Sequence, residues 1–165
     1  MDAVIRILAL AAVALGSQSS AREDCVRGPL APVLVRPSGQ QKYSFVKSAD
    51  DATEQLELDD KTALSIRHFG CAHYALEFSF VLTGEKPGDH QPNEWLARAA
   101  VLFDRLEERP GSLRLSQVAE RLRRAAAEPY EYGTPLSIPS ITSLTFDVRA
   151  VAQGTKLVLL YDVAL

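Results

Sequence analysis

The chain has 165 residues, an apolar fraction of 47%, 24% charged residues and a formal net charge of −3. The length favours one domain over two, and the composition is that of a folded protein rather than a disordered one. So small a net charge excludes strong long-range attraction to nucleic acid or to an anionic membrane, and no internal repeat or low-complexity stretch is present.

The first segment reads as a secretory signal peptide over residues 1–21. Ile7 to Leu15 is an unbroken apolar run preceded by Arg6, and Ser19-Ser20-Ala21 places small residues where a signal peptidase inspects them. The run falls well short of the roughly 20 apolar residues a membrane span needs, so the mature chain is expected to carry no span. Arg22-Glu23-Asp24 before Cys25 argues against a lipid anchor. Export gives the only two cysteines, Cys25 and Cys71, an oxidising compartment, and a disulfide between them is expected. Closing a loop of that span is worth about 4 kcal/mol in the chain-entropy model.

A single domain is expected over residues 22–165. Ala31 to Pro37 reads as a short edge strand limited by its flanking prolines, and Lys42 to Ser48 as a weakly alternating strand. Ala49 to Glu54 is acidic and polar, either a loop or one helical turn. From Gln55 to Leu82 apolar residues fall on even numbers: Leu56, Leu58, Leu64, Ile66, Tyr74, Leu76, Phe78, Phe80 and Leu82. Alternation at period two describes strands with one face on a core. Turns at Asp59-Asp60-Lys61 and Gly70-Cys71-Ala72 divide the run into a three-stranded meander, pairing Leu56 with Leu64, Ile66 with Leu76 and His68 with Tyr74.

Thr83 to Asn93 is rich in turn formers and reads as a solvent loop. Pro92 then suits a first helical position, and Trp95, Leu96, Ala99, Leu102, Phe103 and Leu106 recur at helical spacing until Pro110-Gly111. A second helix is expected from Ser116, as N-cap, to Ala127, forming a helical hairpin with the first. Glu128 to Ser140 follows, a proline-rich loop with Tyr130 and Tyr132. Ile141 to Val151 and Lys156 to Ala164 make a closing hairpin, its second strand apolar on both faces as a central strand would be. The order gives an α+β domain: an antiparallel sheet, built from the meander and the C-terminal hairpin, with a helical hairpin packed on one face.

Chemistry-bearing residues concentrate at His68, Cys71 and His73. Imidazole and thiolate are preferred by zinc and copper, so these three, with His90 as a further ligand, define a metal-binding alternative. A disulfide at Cys71 removes its thiolate and argues against both a metal site and a Cys–His nucleophile pair. No nucleophile-elbow, zincin or phosphate-loop motif is present, and Asp50-Asp51 and Asp59-Asp60 lack calcium-loop spacing. Arg121, Arg123 and Arg124 read as a solvated helix face. With no cofactor motif and no catalytic signature, the chain reads as a non-enzyme. The expected function is that of a periplasmic or secreted protein-binding domain, of the inhibitor or immunity type that occludes a partner. Tyr130 and Tyr132 are its candidate contact residues, because restricted loops with tyrosines present contact area at low entropic cost.

Overall fold

A computed structural model describes residues 30–36, 42–48, 51–70, 73–110, 113–137 and 143–164. The segment expected to be a signal peptide, Cys25 and Cys71, and hence the disulfide expected between the two cysteines, lie outside these residues.

The alternating stretches form one antiparallel sheet. Its strands are β1 (Tyr43–Lys47), β2 (Ala52–Asp59), β3 (Thr62–Phe69), β4 (His73–Thr83), β5 (Ser143–Val151) and β6 (Gly154–Ala164). They lie in the order β1-β2-β3-β4-β6-β5, so the apolar strand β6 is central, between β4 and β5. Two helices, α1 (Pro92–Asp104) and α2 (Leu115–Ala126), cover the even-numbered face of the meander. Phe78 and Phe80 of β4 meet Phe103 of α1 with ring centroids 5.0 and 5.4 Å apart. The α+β architecture expected from the pattern is the one observed.

Three local readings change. Leu56 does oppose Leu64, but Ile66 opposes Phe78 and His68 opposes Leu76, two residues beyond the expected register. The last pair of the two strands is Phe69 with Ala75, so five residues rather than three separate them, starting at Gly70, whose φ is 88°. A shift of two keeps every side chain on its face, so the core survives the error. Ala49 to Glu54 is neither loop nor helical turn throughout, because β2 already begins at Ala52. The described part of the expected edge strand, residues 31–36, does not join the sheet. Residues 30–36 form a strap whose Leu34 bridges Glu108, with Val35 N–H donating to the Glu107 carbonyl and Arg109 N–H to that of Val33.

That strap also explains why the first helix stops early. Residues 107–109 pair with it, after Arg105 and Leu106 close the last turn, so α1 ends at Asp104 well before Pro110. The start of α1 follows its sequence: Pro92 opens it, and the Glu94 carboxylate accepts from Gln91 N–H at 2.7 Å. Helix α2 starts one residue before Ser116, which lies inside the first turn. Arg114 is its N-cap, and the Glu108 carboxylate takes the Leu115 N–H in place of a capping hydroxyl. The core holds Trp95, Leu96, Phe103, Leu115, Leu122, Phe78, Phe80, Phe146, Leu157 and Leu159, all essentially without exposure. Among the described residues no helix is long and apolar enough to cross a membrane.

The hairpin between β5 and β6 turns through Ala152-Gln153, so Gly154 is already paired, opposite Val151 and Thr83. A Cβ on Gly154 would lie 2.0 Å from the Leu82 carbonyl oxygen, a backbone atom that has no rotamer in which to retreat. Gly154→Ala should therefore cost roughly 1–3 kcal/mol by overpacking. Gly88→Ala meets nothing within 4 Å and should leave stability close to that of the unaltered protein. Urea unfolding midpoints of the two variants check the contrast.

Candidate functional site

The titratable residues of the core lie at one end of the sheet. Glu54 of β2 and His68 of β3 are both on the even, core-facing side, and both are 0% exposed. They stand on adjacent strands with His68 two residues along from Ile66, the residue opposite Glu54, so long side chains meet diagonally. His68 Nε2 lies 2.7 Å from Glu54 Oε1, and His68 Nδ1 lies 2.9 Å from the Tyr74 hydroxyl. Glu54 also accepts from Val33 N–H at 2.7 Å, Leu34 N–H at 3.2 Å and the Tyr43 hydroxyl at 3.0 Å. Burial alone would push the Glu54 carboxyl up. The hydrogen bonds from His68, the two strap amides and Tyr43 outweigh burial and hold it below the usual carboxylate range. Burial first, then the charge of Glu54 and the bond to it, raise the Tyr43 phenol in turn.

This geometry assigns His68 a structural place. An ionised carboxylate only accepts, so Nε2 donates to Glu54. The Tyr74 hydroxyl then completes the other ring nitrogen, donating or accepting according to whether the ring carries one proton or two. Neither nitrogen offers a lone pair to a metal without breaking a buried bond. Of the other suggested ligands, Cys71 and the side chain of His73 lie outside the described residues. His90 stands elsewhere, edge-on to Trp95 with ring centroids 4.7 Å apart and near Glu94. Among the described residues no three His, Cys, Asp or Glu side chains gather as a metal site requires.

The tyrosine loop is divided between two roles. Tyr130 donates its hydroxyl to the Thr134 carbonyl at 2.8 Å, and its half-buried ring lies against Phe146. Gly133 N–H donates to the Phe146 carbonyl and Leu136 bridges Leu144, so the same loop covers part of the outer edge of β5. An unpaired edge invites further strands, and covering it is one protection. Tyr132 is 41% exposed and is the ring of the pair that a partner can reach. On the helical side, Arg123 pairs with Asp104 and Arg124 with Glu120, as a solvated helix face does.

Among the described residues no helix covers the opposite face of the sheet, the one that carries the odd-numbered residues of β2, β3 and β4. Its side chains form rows across the strands. The middle row is Ser44, Gln55, Ser65, Ser79 and Val158, from β1 through β4 to β6. One flanking row brings Arg67 opposite Glu77, and the other brings Glu57, Ala63, Val81 and Lys156 into line. Short side chains in the middle with longer charged ones on both sides leave a trough of about 810 Å³. Sequence alternation identified this face as the solvent face, but a hollow across it depends on which small residues align between strands. Comparison with family models, curated proteins and solved structures finds no match to this chain.

Removing the carboxylate tests the assignment of the buried cluster. Glu54→Gln puts an amide donor against groups that themselves donate, and should cost about 3–5 kcal/mol at neutral pH. Because its folded pKa is lowered, Glu54 stabilises fully above the ordinary glutamate value near 4.3. That contribution is lost as pH falls through its own lower value. The gap between the native protein and the variant should therefore be widest at neutral pH and narrow below about pH 4. Unfolding curves recorded across that range measure it.

Proposed function

We propose that this chain is an exported protein-binding domain, of the inhibitor or immunity type, that docks its partner on the uncovered face of the sheet. The carrying observation is the trough itself. It is an open concavity of about 810 Å³, it is lined by Ser44, Thr53, Gln55, Ser65 and Ser79, and it faces away from both helices. Small side chains there leave room for a partner's larger ones, and concave surfaces admit more contact area than flat ones. The apolar run from Ile7 to Leu15 supports export. Tyr132, exposed beside the β5 edge and against Phe146, is a separate candidate contact outside the trough, whereas Tyr130 serves to hold its own loop.

Site-specific crosslinking tests the placement. A photoreactive residue at Ser65, in the trough, should give discrete protein adducts in the native envelope or extracellular fraction. The same residue at Gln117, exposed on α2, should give none. Ser65→Trp in an otherwise unaltered chain should keep the unfolding midpoint and abolish capture of whatever the crosslink identifies. Adducts formed equally at Gln117, or only at Tyr132, would contradict docking on the open sheet.

A further inference from the structure

Resting on that reading, we infer that the trough receives an acidic, extended segment of a protein partner, laid across the strands. Its long side chains are Arg36, Lys42, Arg67 and Lys156 against Glu57 and Glu77, an excess of two positive charges in a chain whose net charge is −3. Positive charge is thus gathered on the face that no described helix covers, and the rest of the molecule is more acidic than its total suggests. Complementary potentials of this kind select and orient partners.

The ion pairs already present leave donors free. Arg67 gives one amino group to Asp51, at 2.9 Å, and keeps the remaining N–H groups of its guanidinium. Lys156 stands 3.8 Å from Glu77, an ion pair longer than a hydrogen bond. Lys42 meets Glu57 at 3.1 Å, while Arg36 makes no ion pair among the described residues. A carboxylate arriving at Arg67 gains donors without having to displace Asp51, and Arg36 has no ion pair with a described carboxylate to give up. The hydroxyls of Ser44 and Ser65 along the floor suit the amide groups of an extended backbone.

Dimensions agree. From β1 to β6 the trough crosses five adjacent strands, about 19 Å at the usual spacing of strands in a sheet. An extended chain covers that distance in about six residues. Nucleic acid is the other acidic class, and it fits less well. A polyanion is repelled at long range by a chain of negative net charge, and an excess of two charges releases few counterions.

The test is a selection of random linear peptides displayed on phage against three proteins: the unaltered chain, the charge reversal Arg36→Glu/Arg67→Glu, and the floor variant Ser65→Trp. Circular dichroism and unfolding midpoints establish that all three are folded. The unaltered chain should enrich sequences dense in Asp and Glu, and both variants should lose them. A synthetic peptide from that pool should bind about tenfold more weakly to the charge reversal, and more weakly in raised salt. Enrichment without acidic bias, lost in the floor variant, would overturn the acidic segment and leave docking on this face intact. Enrichment unaffected by Ser65→Trp would overturn both. Displacement of the selected peptide by a single-stranded DNA oligonucleotide of the same length, at equal concentration, would replace the protein segment with nucleic acid.

Discussion

One carboxylate holds this fold together at its least regular point. Glu54 is wholly buried, and it accepts from two backbone amides of the strap, from a phenol on β1 and from an imidazole on β3. Each partner on its own would leave a buried charge underpaired, which is costly. Together they join three parts of the chain that are distant in sequence. The strap has no place in the sheet, so its amides would be orphaned without Glu54 on one side and residues 107–109 on the other. Through the strap, Val33 and Leu34 enter the core, and the early end of α1 follows from the same pairing.

That arrangement decides which surfaces remain for function. The face of the sheet that carries the even-numbered residues of the meander is closed by α1 and α2, with the strap adding Val33 and Leu34 to the same core. The loop carrying Tyr130 covers part of the β5 edge, and β1 is short, with Lys42 before it and Lys47 at its end. Charged residues on an edge strand discourage further pairing. His68, the residue whose chemistry draws attention first, is enclosed with both nitrogens engaged. Among the described residues the opposite face of the sheet is what is left, and its aligned short side chains make it concave.

Much of this was legible in the chain. Period-two alternation sorted the meander into two faces, and the helical spacing of Trp95, Ala99, Leu102 and Phe103 marked the helix that covers one of them. A register slip of two between β3 and β4 left that sorting intact, since faces depend on parity alone. Glu54 was hidden because it sits in an acidic, polar stretch that resembles a turn. A signal for it existed: once Leu56 is set opposite Leu64, Glu54 and His68 fall on the core-facing parity of neighbouring strands, and two buried ionisable groups there need one another. The strap's course was not legible, because an isolated bridge to Glu108 is a tertiary event with no local pattern. Nor was the trough, which depends on Ser65 and Ser79 standing opposite one another across strands.

The fold depends most on the carboxylate clamp, and residue-resolved amide hydrogen exchange measures it directly in solution. The N–H groups of Val33 and Leu34 belong to no strand, yet both should exchange as slowly as Leu64 and Ile66 in the interior of β3, through openings close to global unfolding. Exchange of either amide at the rate of an exposed loop amide such as that of Gly88 would contradict the clamp, and with it the assignment of Glu54 and His68 to structure rather than function.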